Sequence, residues 1–66
     1  MEVGNLNCNG QKLIRKTEQK STTHPSARIW VMFCPVCQKE YGVNSCDAHH
    51  RRCPYHDKGA NGEPLI

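Results

Sequence analysis

The stretch CPVCQKEYGVNSCDAHHRRC, residues 34–53, decides the fold because its cysteines and histidine have a spacing typical of structural zinc sites. Two residues separate Cys34 from Cys37, and after eleven more residues His49 and Cys53 are separated by three. On a helix, positions i and i+4 share a face, so His49 and Cys53 could complete a tetrahedron with the two cysteines. The pattern therefore predicts one structural Zn²⁺ per chain, bound by Cys34, Cys37, His49 and Cys53.

A bound ion would also supply the stability that the composition lacks. The chain has 66 residues, of which 36% are hydrophobic, and a mean hydropathy of -0.75. So small and polar a chain forms a weak core, whereas structural zinc contributes about 10 to 16 kcal/mol in finger peptides. A metabolic enzyme is not expected, because a substrate pocket needs walls that this length can hardly supply.

The cysteine content and the first twenty residues bear on the compartment. The sequence has five cysteines, and its start lacks the apolar segment of a signal peptide. Clustered cysteines in a reducing compartment bind metal more often than they form disulfides. The longest apolar run, residues 29–33, is far too short to cross a membrane. We therefore expect an intracellular protein, cytoplasmic or nuclear, without a membrane partner.

Three other residues compete as zinc ligands. Cys46 lies seven residues before Cys53, about 10.5 Å along a helix, so both could not reach one ion, and Cys46 is predicted to be buried. His50 points about 100° away from the face of His49 and is predicted to be a surface residue. His56 lies beyond Pro54 and could replace Cys53 only if the helix ended early.

Two strands and a helix are predicted around these ligands. Residues 27–33, ARIWVMF, have the β-branched and aromatic content of a strand, with Trp30 and Met32 on one face. The segment CPVCQKEYGV indicates a turn and a short returning strand, and NSCDAHHRRC indicates a short helix that ends before Pro54.

The rest of the chain is predicted to form two mobile tails. Residues 1–26 are predicted to be a flexible basic arm, residues 27–56 the zinc finger, and residues 57–66 a flexible tail rich in turn formers. Cys8 and His24 fall in the arm without a partner at metal spacing, and we expect them to be exposed and unpaired.

Residues 34–53 resemble the Cys-Cys-His-Cys class of ββα zinc fingers. In that class an aromatic residue follows the second cysteine by four positions and a leucine precedes the histidine by three. Tyr41 and Cys46 hold those places here, so Cys46 is smaller than the family's residue. The resemblance implies a small zinc-stabilised α+β fold, ββα zinc-finger-like, with disordered N- and C-terminal tails. Ubiquitin-binding fingers of DNA-repair proteins have similar ligand spacing, but carry aspartate where this chain has Arg51.

Two functions without catalysis are compatible with such a finger. The formal charge of +3 and the pI near 8.7 favour nucleic acid, DNA or RNA, bound through the helix and the basic arm. The expected contact residues are Arg28, Trp30, Lys39, Arg51 and Arg52. The alternative is a protein-interaction finger of the adaptor or ubiquitin-binding type, with Trp30 and Met32 as anchors on the face away from the zinc. Those two residues could instead be buried against the N-terminal segment.

Catalysis and redox sensing have less support in the sequence. Catalysis would need one zinc ligand to leave, and four protein ligands provide no open position. Loss of zinc on oxidation of the cysteines would unfold the domain, but no further motif indicates such a switch. No small-molecule substrate is expected.

Overall fold

Three antiparallel β-strands form the framework of the molecule. The computed structural model describes residues 1–22, 24, 26–59 and 62. Its strands are β1 (Lys12–Lys20), β2 (Arg28–Cys34) and β3 (Lys39–Asn44), in the sheet order β1-β2-β3. One turn of 3-10 helix, Ala48–His50, follows β3. Among the residues described, no helix has the length and apolar character that crossing a bilayer would require.

β2 is the central strand because its residues suit burial on both faces. Ile29 and Val31 are buried on one side, and Met32 and Cys34 are buried on the other. β-branched and large apolar side chains favour such a doubly covered strand. The predicted strand over residues 27–33 is therefore confirmed, as is the returning strand, which pairs Tyr41 with Met32.

The turn between β2 and β3 occupies residues 35–38 and carries the second cysteine of the motif. The Gln38 amide donates to the Cys34 carbonyl at 2.7 Å, which closes the turn. Gln38 has φ of 57°, in the left-handed region that few residues other than glycine adopt. This tight reversal keeps Cys34 and Cys37 on one side of the hairpin.

β1 lies within the segment predicted to be a flexible, disordered arm, and this strand contradicts that disorder. Leu13 is 0% exposed and pairs with Met32, while Lys16 pairs with Trp30 and places its Nζ 4.6 Å from the indole centroid. The pairing is irregular, with register shifts between Leu13 and Arg15 and between Lys16 and Lys20. The strand thus joins the sheet through few apolar residues, and the domain boundaries at residues 26 and 56 stay predictions.

Asparagine side chains of the N-terminal segment bind the turn of 3-10 helix. Asn7 Nδ2 donates to the carbonyls of Ala48 and Arg51 at 2.8 and 2.9 Å. Asn9 Nδ2 donates to the His50 carbonyl at 2.9 Å. These side chains satisfy carbonyl groups that a continuing α-helix would have paired with its own amides.

The predicted ββα fold is therefore wrong. The structure is a three-stranded antiparallel sheet, and its described residues include no α-helix. The segment NSCDAHHRRC makes only the 3-10 turn, Asp47 forms no side-chain cap, and Arg51 is extended with φ of -67° and ψ of 137°. The bonds from Asn7 and Asn9, about forty residues away in sequence, compete with helix continuation.

The predicted disorder of the N-terminal tail is also wrong. Residues 1–10 form turns and a bridge between Leu6 and Lys12. Most of the predicted C-terminal tail lies outside the described residues.

The main buried cluster lies on the cysteine face of the sheet. Its buried members are Leu13, Met32, Cys34, Tyr41, Val43, Ala48 and Cys53, with Met1, Trp30 and Cys37 packed against them. Trp30 and Met32 therefore share the face of the cysteines, and the prediction that they lie on the opposite face is wrong. Met32 is buried and pairs with Leu13 of the N-terminal segment, as the alternative expected, whereas Trp30 is only partly buried.

Candidate metal centre

Three cysteines and one histidine converge at one end of the sheet. The ligand atoms of Cys34, Cys37, Cys53 and His56 all lie within 4.8 Å of one another. Cys37 Sγ is 3.7 Å from Cys53 Sγ, and His56 Nδ1 is 3.5 Å from Cys34 Sγ and 3.0 Å from Cys37 Sγ. These four residues, the Cys3His group, could hold one metal ion.

The separations can be compared with those of a tetrahedral zinc site. Bonds of about 2.3 Å to sulfur and about 2.0 Å to nitrogen place two sulfurs about 3.8 Å apart, and sulfur and nitrogen about 3.5 Å apart. The Cys37–Cys53 and Cys34–His56 pairs have nearly these separations. Of these three measured pairs, the Cys37–His56 pair would have to open, by about 0.5 Å, around an ion.

Two short chain segments deliver these side chains. Cys34 ends β2 and Cys37 lies in the following turn, where its amide donates to Cys34 Sγ at 3.5 Å. Cys53 and His56 lie in the loop after the 3-10 turn, where the Tyr55 amide donates to Cys53 Sγ at 3.4 Å. Amide donors to sulfur favour the thiolate form that binds metals. Each segment thus supplies two ligands separated by two residues, and a nearby backbone amide donates to the first sulfur of each segment.

The thiols differ in acidity. Burial would raise the pKa of Cys34, but hydrogen bonds from the Cys37 backbone and from the Gln11 side chain outweigh it and lower the pKa to about 6. Burial raises the pKa of Cys37 to about 11, with further contributions from Cys53 and Cys34. Neighbouring sulfurs thus resist ionising together, and a divalent cation among them would remove that resistance.

Gln11 and Tyr41 form a polar contact behind the cysteines. The Tyr41 hydroxyl donates to Gln11 Oε1 at 2.5 Å, and Gln11 Nε2 donates to the Asn9 carbonyl at 3.5 Å. Both residues are buried, and burial raises the pKa of Tyr41. Since the Gln11 side chain also bonds Cys34, this contact links the sulfur to β3 and to the N-terminal segment.

The structure does not place His49 in the Cys3His group. His49 Nε2 lies 3.0 Å from His50 Nδ1, and both rings are exposed. Because the 3-10 turn ends at His50 and the chain continues as a loop, His56 reaches the cysteines. His56 replaces the predicted ligand His49, whereas Cys53 stays in the group. Cys46, predicted to be buried, is exposed. The spacing Cys53-x2-His56, which repeats that of Cys34-x2-Cys37, is the sequence signal that could have found His56.

The residues predicted to contact nucleic acid lie on several elements. Arg28 and Trp30 are partly buried on β2, and exposed Lys39 begins β3 with its Nζ 4.8 Å from the Tyr55 ring centroid. In the following loop Arg51 is 7% exposed, whereas Arg52 is exposed. Their part in binding stays a prediction.

Comparison of the chain with protein-family models, with curated proteins and with solved structures finds no match. The class of the protein therefore follows from its own geometry. The fold and the site define a small antiparallel β-sheet domain whose Cys3His group could bind a metal ion.

Proposed function

We propose that this chain is a zinc-binding domain in which one structural Zn²⁺, held by the Cys3His group, stabilises the fold. The observation that carries the proposal is the convergence of three sulfurs and one imidazole nitrogen within 4.8 Å. Thiolate and imidazole are the donors that structural zinc sites use. Four protein donors would fill the tetrahedron, which supports a role in binding rather than in catalysis. The five free cysteines favour a reducing, intracellular compartment.

Metal removal tests this proposal directly. The zinc-loaded chain should lose its dispersed amide NMR spectrum when a strong chelator is added, because zinc contributes about 10 to 16 kcal/mol to such folds. Added Zn²⁺ should restore the spectrum, whereas Mg²⁺ should not, because Mg²⁺ prefers oxygen ligands. A Cys8→Ser variant should lose and regain its spectrum in the same way, since Cys8 is exposed and outside the Cys3His group. An unchanged spectrum without metal would contradict the proposal.

We further propose that the domain binds nucleic acid, with β1 as part of the contact surface. The supporting observation is that Lys12, Arg15, Lys16 and Lys20 are all exposed on this one edge strand. Such a row of cations suits a phosphate backbone. Trp30, beside Lys16, could add stacking on a base. In the loop after the 3-10 turn, we assign the phosphate contact to exposed Arg52 rather than to buried Arg51.

A salt-dependent titration tests nucleic-acid binding. The zinc-loaded chain is titrated with short single- and double-stranded oligonucleotides at low and at moderate salt, and the fluorescence of its one tryptophan is followed. Affinity should fall steeply as salt rises, because each phosphate contact releases counterions. The variant Lys16→Gln with Lys20→Gln should bind more weakly and with a smaller salt slope.

The matched control for this titration is Lys58→Gln, which removes an exposed cation far from β1 in the sequence. Equal losses for the control and for the β1 variant would contradict the assignment of the surface to β1. No response to any oligonucleotide would contradict nucleic-acid binding itself and would favour the protein-interaction alternative.

A further inference from the structure

A second set of metal-binding side chains lies apart from the Cys3His group. The ligand atoms of His24, Cys46 and Asp47 lie within 4.8 Å of one another. His24 belongs to the connection between β1 and β2, and the other two belong to the turn after β3. His24 and Cys46 are exposed and Asp47 is partly buried, so an ion could enter directly from solvent.

Backbone and hydroxyl bonds hold these two loops at the same end of β2. The Ser45 amide donates to the Arg28 carbonyl at 2.8 Å, and the Arg28 amide donates to Ser45 Oγ at 3.1 Å. On the other side of β2, the Ser21 amide donates to the Ala27 carbonyl at 3.2 Å. Hydrogen bonds to the backbone of residues 27 and 28 therefore keep the two loops close together.

Buried Asn44 orients the histidine of this set. Its Nδ2 is 3.0 Å from His24 Nδ1, and its Oδ1 accepts a hydrogen bond from Ser21 Oγ at 2.5 Å. The His24 amide also donates to Ser21 Oγ at 3.1 Å. These contacts hold the His24 side chain beside the turn after β3. Because Asn44 Nδ2 is a donor, an ion bound to the ring would displace it from Nδ1 or require the amide to turn its oxygen towards Nδ1–H.

Asp47 has a further histidine beside it. His50 Nε2 lies 3.7 Å from Asp47 Oδ1, which places a second imidazole next to the carboxylate. This separation is longer than a hydrogen bond. His50 therefore lies beside Asp47 without belonging to the set of three.

We propose that His24, Cys46 and Asp47 form a second metal site, exchangeable with solvent, for Zn²⁺ or a divalent transition-metal ion of similar softness. One thiolate, one imidazole and one carboxylate suit such ions, whereas Mg²⁺ and Ca²⁺ prefer oxygen donors alone. On binding, the Cys46 thiol forms a sulfur–metal bond and releases its proton to solvent. Three protein ligands leave at least one position for water or for a ligand from outside.

The two sites should differ in how readily they release metal. Cys34 and Cys53 are buried in the core, whereas the second site is largely exposed. A weak chelator should therefore remove the second ion first. The second site shares no residue with the Cys3His group, so it stands or falls independently of the proposed structural zinc.

Counting zinc by native mass spectrometry tests the proposal. The wild-type chain should bind two Zn²⁺ when zinc is in excess, and Cys46→Ser and His24→Ala should each bind one. Cys8→Ser, which removes an exposed cysteine outside both sets, should still bind two. Amide spectra of the zinc-loaded variants report whether each keeps the fold, and two different variants guard against a local failure to fold.

Two zinc counts would contradict the second metal site. One Zn²⁺ on the wild-type chain, or two on both Cys46→Ser and His24→Ala, would overturn the second site. Cys46→Ser retains the Cys3His group, so its expected single Zn²⁺ reports the structural site. No bound zinc on that variant would contradict the proposed function instead.

Discussion

At the scale of single residues, His56 has the most exposed position in the Cys3His group. Its ring nitrogen lies close to two sulfurs, and it follows Cys53 by three positions in a loop rather than on a helix. We expect His56→Ala to lower zinc affinity by at least about 100-fold, because even an outer-shell partner is worth about 10- to 100-fold. Competition with a chromophoric chelator measures the affinity.

His49→Ala is the matched control for this change. His49 is also an exposed histidine, seven positions earlier, and its ring contacts His50 rather than the cysteines. Its removal should leave zinc affinity within about twofold of the wild type, since surface substitutions have small effects. If His49→Ala lost zinc and His56→Ala kept it, the ligand assignment would be reversed.

At the scale of elements, β1 contributes one fully buried apolar side chain to the core. Leu13 is fully buried, with Met32 as its pairing partner on β2. Leu13→Ala should lower the free energy of unfolding of the zinc-loaded chain by about 2 to 5 kcal/mol, as large-to-small core substitutions do. Urea denaturation followed by tryptophan fluorescence measures this loss.

Leu6→Ala provides the comparison for Leu13→Ala. Leu6 is 61% exposed, so the same chemical change there should alter the free energy of unfolding by no more than about 0.5 kcal/mol. Equal urea midpoints for both variants would mean that β1 does not contribute to the cooperative unit.

At the scale of the whole molecule, the local parts of the fold were predictable and the parts set by distant contacts were not. The Cys34–Cys37 pair and the strands on either side of it follow from spacing and β-branched content over a few residues. The sequence also predicts Cys53 as a ligand, and Cys53 belongs to the Cys3His group although the helix expected to present it is absent from the described residues. The cysteine ligands were predictable from residue type and spacing, and the strands from their side-chain composition.

The histidine ligand and β1 depended on contacts across the chain. Asn7 and Asn9 bind carbonyls of the 3-10 turn, and this favours an extended chain that brings His56 to the cysteines. A hydrogen bond between residues about forty positions apart cannot be predicted from a pattern of neighbouring residues. β1 lacks regular alternation because its pairing is interrupted twice, so its one buried leucine gives no strand signal.

The interrupted pairing of β1 also affects how copies of the chain meet. An edge strand is a template for cross-chain pairing, the first step towards fibrils and swapped dimers. Here the Leu13 amide and carbonyl already bond to Asn5 and Gly4, and register shifts interrupt the pairing of the strand. Three lysines and one arginine on β1 are exposed. A second copy would meet like charges and a broken ladder there. The irregularity that hides this strand in the sequence thus protects the molecule from polymerising along that side.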